Sequence, residues 1–307
     1  MHRIVLGSRR SRLALTQTNL VVGRLRELHP GLAVEVREIV TTGDRVLDRP
    51  LAQVGTKGMF TKELDEALLA GDIDAAVHSL KDLPGEVPPG LALAAIPERE
   101  EPFDCVLAAT AVTLDGLPPG ARVGTGSTRR KAQLGARRPD FEFVEVRGNL
   151  DTRWRKHEQG QCHALILALA GARRLGWAER VREVIDPAVC LPAACQGTLG
   201  VTAREGDARV RDLLAPLEDA RARVEADAER AFLATLAGGC AVPAAALARF
   251  VPGGALRMTG LVSSPDGRRS VREAREGTAA GAAELGRELA TRLLDAGGRA
   301  LLAEGGR

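Results

Sequence analysis

The chain has 307 residues, 45% hydrophobic and 27% charged, a balance that suits two or three folded domains and excludes a disordered chain. Net charge is only +3, and aromatics are 3% with no tyrosine, which argues against a surface built on basic excess and base stacking, so no nucleic-acid partner is expected. Of the 43 basic residues five are lysine (Lys57, Lys62, Lys81, Lys131, Lys156), which leaves 38 arginines, so the position of an arginine is informative and its abundance is not.

The first 200 residues read as alternating strands and helices. Arg3–Gly7 is a short apolar strand, and Ser11 stands where a cap would precede a helix carrying Leu20, Val21, Leu25 and Leu28. Ala33–Val40 alternates as a strand, Thr61–Ala70 is amphipathic, and Asp74–His78 is a further short strand. This is the grammar of a mostly parallel sheet. After the turn Pro97–Pro102 the style repeats without the sequence repeating. Val106–Ala109 and Arg122–Gly124 are strands, Ser127–Arg137 is a helix, and Phe141–Arg147 alternates. Ala164–Ala170 is a wholly apolar strand with Arg173–Leu175 at the start of a helix. A third block begins near Pro216. It has a long helix over Asp219–Leu236 ending at Gly238-Gly239, and a hairpin of Ala255–Ser263 with Ser270–Arg275 about Pro265-Asp266-Gly267. Ala282–Leu294 is the closing helix.

The five cysteines (105, 162, 190, 195 and 240) are odd in number and form no Cys-x-x-Cys, which suits free thiols in a reducing cytoplasm. The N-terminus carries no apolar signal segment. Two runs, 187–203 and 231–248, lack charge. The second has the length of a membrane span, but Gly238, Gly239 and Pro243 interrupt it, so a buried helix end followed by a turn is expected and no membrane partner.

Polar residues concentrate where strands hand over to helices, the usual place for ligands in open α/β sheets. Arg9, Arg10, Ser11 and Gln17 mark the first such end, as a carboxylate or phosphate clamp or a capped helix with solvated arginines. Gly55-Thr56-Lys57-Gly58 is a lid with a cation or an ordinary loop. His78, Ser79, Lys81 and Asp82 end an apolar strand; Asp82 suits a general acid/base or a stabiliser of a cation, and His78 a satisfied core histidine. Val123-Gly124-Thr125-Gly126-Ser127 precedes Arg129 and Arg130, where small residues would let an anion approach the backbone. Arg147 and Arg153 close the set, with Arg173 and Arg174 after strand 164–170. Five such ends in two domains predict an interdomain cleft for a ligand with several carboxylates. Cys240, in the turn Gly238-Gly239-Cys240-Ala241-Val242-Pro243, suits a nucleophile or covalent attachment point. The other four cysteines sit in apolar settings, and no cysteine or histidine spacing suits a metal.

Taken together, the motifs are recognisable: RRSRLALTQ at 9–17, TTGD at 41–44, GTKGMFTKELDEALL at 55–69, DIDAAVHSLKDLP at 72–84, VGTGSTRRKAQL at 123–134, VRGNLDTR at 146–153, LALAGARRLG at 167–176, LPAACQGTLG at 191–200 and AERAFLATLAGGCAVP at 228–243. In this order they resemble the porphobilinogen deaminase (hydroxymethylbilane synthase) family of tetrapyrrole and heme biosynthesis. The resemblance implies two α/β lobes like those of solute-binding proteins plus a small C-terminal α+β domain. The bounds read as 1–97 with 197–215, 98–196, and 216–307. It implies a cytoplasmic transferase that joins four porphobilinogen molecules head to tail, releasing ammonia, on a dipyrromethane cofactor bonded to Cys240. Six rings with two carboxylates each would bring about a dozen carboxylates to the arginines. By motif match, Asp82 is the catalytic carboxylate. Ser79, Lys81, Asp82, Thr125, Ser127, Arg129 and Arg130 hold the cofactor. Arg9, Ser11, Gln17, Lys57, Arg147, Arg153 and Arg174 bind substrate and growing chain. Gln53, Phe103 and Ala241 depart from the family pattern, where lysine, arginine and glutamine are common. The modest charge and lack of a large apolar stripe read as a monomer. A non-catalytic two-lobed binding protein for a polycarboxylate would explain the arginines but not Cys240, and a nucleic-acid-binding protein would use Arg129-Arg130 and Arg153-Arg155.

Overall fold

The computed structural model describes residues 3–45, 60–236 and 243–305. In chain order the elements are β1 (Arg3–Arg9), α1 (Arg12–Leu28), β2 (Ala33–Ile39), the short α2 (Thr42–Arg45), α3 (Lys62–Ala70), β3 (Ala75–Ser79), β4 (Leu91–Ala95) and β5 (Asp104–Leu107). Next come β6 (Arg122–Gly124), α4 (Thr128–Arg137), β7 (Glu142–Val144), α5 (Leu150–Glu158), β8 (Ala164–Ala168), α6 (Leu169–Arg174) and β9 (Val181–Val184). The chain ends with β10 (Leu199–Arg204), α7 (Ala208–Leu214), α8 (Ala220–Thr235), β11 (Ala244–Phe250), β12 (Leu256–Ser263), β13 (Ser270–Gly277), α9 (Ala282–Leu293) and α10 (Arg299–Gly305).

The chain divides into two compact units, residues 1–100 with 198–223 and residues 101–197 with 224–307. The first holds a five-stranded sheet of order β2-β1-β3-β10-β4. β1 pairs parallel with β2 and β3, and β10 runs antiparallel between β3 and β4. Four strands therefore point one way, and the one that returns from the distant part of the chain is reversed. Ile4, Leu6, Val21, Leu25, Val77 and Val201 close the core on one face, and Leu64, Leu68 and Ile73 on the other. Burial on both faces explains why β1 and β3 read as apolar runs and not as alternations.

The second unit repeats this plan as β7-β6-β8-β5-β9, with β5 as the reversed strand. It also contains the antiparallel sheet β11-β12-β13, packed by α8 and α9 around Phe232, Met258, Leu289 and Leu293. Among the described residues no helix is long and apolar enough to cross a membrane. The uncharged run 231–248 instead ends α8 and enters β11.

Four local expectations are corrected. β5 starts at Asp104, earlier than the apolar run, because Asp104 and Cys105 pair with Ala168 and Leu167. Of the alternating Phe141–Arg147 only Glu142–Val144 pairs. The apolar run from Ala164 changes from strand to helix at Leu169, so Arg173 and Arg174 stand at a helix end and not at its start. Leu169–Ala172 are all buried, and a fully buried helix shows no period by which sequence could separate it from a strand. Ala282–Leu293 is followed by one π turn and α10, so it does not close the chain.

Candidate active site

In the first unit, parallel pairing of β1 with β3 puts their carboxyl ends side by side. Arg9 ends β1 and Ser11 follows it, while Ser79 ends β3 and Asp82 follows it. Ser11 caps α1, its Oγ accepting from the Ala14 amide at 3.3 Å, as its position before the helical pattern predicts. Beyond Ser79 the chain makes a single 3₁₀ turn over Leu80–Asp82. Leu80 and Leu83 are buried and anchor that turn, and the Leu80 amide donates to the Thr198 carbonyl at 2.9 Å. Lys81 and Asp82, between the two anchors, are left only partly buried.

Together these elements enclose a cavity of about 70 Å³ lined by Arg9, Ser11, Gln17, Ser79 and Asp82, with Phe60 and His78 among the other walls. The Arg9 guanidinium lies over the Phe60 ring, 4.3 Å from its centroid. Gln17, on the buried side of α1, donates from Nε2 to Ser79 Oγ at 2.9 Å. His78 is buried, with its Nε2 3.0 Å from Thr202 Oγ1. Burial pushes its pKa down to about 4, with the nearby Arg9 charge acting in the same direction. His78 is thus a neutral, hydrogen-bonded core histidine. One carboxylate, Asp82, faces a basic side chain, hydroxyls and the positive end of α1. Such a set can hold a carboxylate and at the same time offset a cation at one point.

In the second unit the carboxyl ends of β6, β7 and β8 also lie side by side, because β6 pairs parallel with both neighbours. Thr125 and Ser127 follow β6. Ser127 caps α4, accepting from the Arg130 amide, and the Ser127 amide donates to Thr125 Oγ1 at 3.2 Å. Arg147 follows β7 and pairs with Glu145. Asn149 caps α5, which carries Arg153; its Nε donates to the Gly148 carbonyl at 2.8 Å. Arg174, at the end of α6, donates to the Gly197 carbonyl at 2.6 Å.

The glycines of this segment differ from the expectation. A side chain at Gly124 would stand 2.7 Å from Leu165 and 2.8 Å from Cys162, so this glycine is required by core packing and does not open the backbone to a ligand. Gly126 is the open one, with nothing nearer than Glu145 at 3.8 Å.

Arg129 and Arg130 are not surface cations. Both are nearly fully buried, and both bind Asp104, at 2.7 Å each. Burial alone would push the Asp104 carboxyl up, but the two guanidiniums more than offset this and hold it far below the ordinary range. The sequence reading missed Asp104, and also Gln196, which donates from Nε2 to Asp104 at 2.9 Å and to the Pro102 carbonyl. The four described cysteines are buried thiols without disulfides. Cys190 is not in an apolar setting, since its Sγ lies 3.3 Å from Asp104 Oδ2. Burial first, and then the Asp104 charge, push its thiol up to about 12, so it stays protonated. Phe103 lies under the Arg249 guanidinium, 5.9 Å from the ring centroid. Lys57, Gln53, Cys240 and Ala241 lie outside the described residues. Among the described residues no cluster of three metal-binding side chains occurs.

The structure thus brings five of the expected residues into one cavity of the first unit. Of the expected residues of the second unit, Thr125, Ser127, Arg147 and Arg153 lie near helix starts, Arg129 and Arg130 are buried, and Arg174 stands at the end of α6. Residues 4–212 match the family model described as "Porphobilinogen deaminase, dipyromethane cofactor binding domain", and residues 224–295 match "Porphobilinogen deaminase, C-terminal domain". Proteins named porphobilinogen deaminase are similar over nearly their whole length. That of Roseiflexus castenholzii is 51% identical over 300 residues, covering 98% of both chains. That of Syntrophobacter fumaroxidans is 47% identical over 301 residues, covering 98% of this chain and 97% of the relative. That of Shouchella clausii is 48% identical over 303 residues, with the same coverage. Among solved structures, the methionine binding protein MetQ aligns at 16% identity with a TM-score of 0.44, over 70% of this chain and 89% of that one. With both family models matching in order and half of all positions shared with full-length relatives, the chain belongs to the porphobilinogen deaminase family.

Proposed function

We infer that this chain joins four porphobilinogen molecules head to tail into linear hydroxymethylbilane, releasing one ammonia for each, on a dipyrromethane bonded to Cys240. The observation that carries the reading is the cavity in which Asp82 is, among the described residues, the one carboxylate beside Arg9, Ser11, Gln17 and Ser79. The donor set fits the dipyrromethane, whose rings carry carboxylates and whose pyrrole N–H groups need an acceptor. Bound, that group supplies the nucleophilic α-carbon to which each new unit is joined. Arg9 and Ser11, at the start of α1, and the second unit's Arg147, Arg153 and Arg174 bind carboxylates of substrate and growing chain, with Gln17 holding Ser79 in place. Ser79, Lys81, Thr125, Ser127, Arg129 and Arg130 hold carboxylates of the cofactor, and Lys57 adds a further cation.

In each round the aminomethyl C–N bond of porphobilinogen breaks and ammonia leaves, which puts a delocalised positive charge on the pyrrole. Asp82 accepts the pyrrole N–H and offsets that charge where it develops. As the new C–C bond forms, Asp82 would take the displaced ring proton as general base; after four rounds the bond to the primer would break with return of a proton to the primer ring, and water would supply the hydroxyl of the released product. The division into lobes 1–97 with 197–215 and 98–196 and a C-terminal domain 216–307 belongs to this reading, supported by three separate sheets. A cytoplasmic monomer is also part of it. The free thiols suit a reducing compartment.

Intact mass under denaturing conditions tests the proposal. The chain should carry an excess equal to two linked pyrrole units, and Cys240→Ser should lack it. A bare chain that gains no adduct on incubation with porphobilinogen would favour a non-catalytic polycarboxylate-binding protein.

A further inference from the structure

Asp104 is fully buried and is the hub of a polar cluster in the second unit. Its Oδ2 accepts from Arg129 Nη1 at 2.7 Å and from Cys190 Sγ at 3.3 Å. Its Oδ1 accepts from Arg130 Nη2 at 2.7 Å, Arg130 Nε at 3.1 Å, Arg129 Nη2 at 3.3 Å and Gln196 Nε2 at 2.9 Å. The guanidiniums are tethered a second time, Arg129 to the Leu191 carbonyl at 2.7 Å and Arg130 to the Ile166 carbonyl at 3.0 Å. Neither can rotate without breaking bonds at both ends.

Two features set this cluster apart from an ordinary structural ion pair. First, one carboxylate faces two guanidiniums, so the cluster keeps a net positive charge, which is costly inside a protein unless an anion completes it. Second, Arg129, Arg130 and Lys131 occupy the first turn of α4, which contains no acidic residue. The positive end of a helix disfavours cations, and apolar residues of similar volume would stabilise a purely structural site as well. Each guanidinium has five N–H groups, of which the contacts above occupy three, leaving two on each arginine for an incoming acceptor.

We propose that Asp104 is a positioning residue. It clamps Arg129 and Arg130 from inside so that their remaining N–H edges and one net positive charge are fixed in place for a carboxylate of the dipyrromethane. The proposal rests on the reading that these two arginines hold cofactor carboxylates.

The test follows adduct formation by intact mass, as bare full-length chain is incubated with increasing porphobilinogen. Asp104→Asn, Asp104→Glu, Arg129→Gln and Arg130→Gln are compared with the parent chain. Folding is followed separately by thermal unfolding. Folded Asp104→Asn should need about tenfold more porphobilinogen for half-maximal loading, with a smaller change in the limiting rate. Asp104→Glu, which restores the charge, should recover part of the loss. A purely structural role would lower the melting temperature without this separation. Folded Asp104→Asn that loads like the parent overturns the proposal. If only Asp104→Glu folds, slower loading supports the proposal and parental loading overturns it. Failure of both to fold marks a structural clamp and also overturns it. Parental loading in both arginine variants would instead refute the assignment of the arginines, whatever Asp104 does.

Discussion

His78 gives a prediction whose size follows from its surroundings. Its ring is buried against Thr202, and burial, helped by the Arg9 charge, lowers its pKa from 6.5 to about 4. The unfolded chain therefore takes up a proton near pH 6.5 and the folded chain only near pH 4. The stability contributed by the neutral ring is whole above pH 6.5, falls as pH drops, and is lost below pH 4. The gap corresponds to about 3 kcal/mol in full, and to about 2 kcal/mol between pH 7 and pH 4.5. Urea unfolding of the parent and of His78→Gln, whose amide can keep the bond to Thr202, measures it. Asp65 acts in the opposite sense, because burial raises its carboxyl to about 6, but it is common to both chains and cancels in the difference. The stability difference between the two chains should shrink by about 2 kcal/mol on acidification over that range. Parallel pH curves would refute the reasoning and place a charged imidazole in the folded protein.

Asp82→Asn should keep the two-ring mass but lower turnover at least about 100-fold, because the amide reaches the same place without the charge. Near-parental turnover would remove Asp82 from the mechanism. Gly267, in the turn between β12 and β13, has φ +73°, and a methyl there would stand 2.0 Å from the Ala132 carbonyl oxygen of α4. Gly267→Ala should cost about 1–2 kcal/mol for the backbone conformation alone, with the displacement of α4 in addition. A lowered urea midpoint together with slower adduct loading would agree, since the same helix carries Arg129 and Arg130, and unchanged values for both would contradict it.

The cavity of the first unit could be read from sequence because its residues stand beside elements with clear patterns. β1 and β3 are short apolar runs, Ser11 precedes an obvious helical period, and the polar groups cluster within a few positions of each strand end. β10, the reversed strand of the same sheet, was hidden in an uncharged run whose pairing partner lies more than a hundred residues away, and periodicity carries no such information. The elements flanking residues 46–59 and 237–242 are placed, but Lys57 and Cys240 lie outside the described residues, and their roles rest on the sequence and the family match.

The second unit is legible only in part. The small residues and the hydroxyl before Arg129 and Arg130 read as an anion site at a helix start, with no sign of a buried partner. The structure puts a carboxylate behind them, from a strand 25 residues earlier in the chain. Asp104 gave no sign of this, because a single acid beside Arg99-Glu100-Glu101-Pro102 reads as part of a charged turn. Only the pairing of Asp104 with Ala168 turns that residue inward, next to α4. One observed requirement on these arginines is therefore to answer the buried Asp104 carboxylate. Small residues and a capping hydroxyl at a strand end pointed to this helix, and the long-range pairing of β5 with β8 decides where its arginines lie.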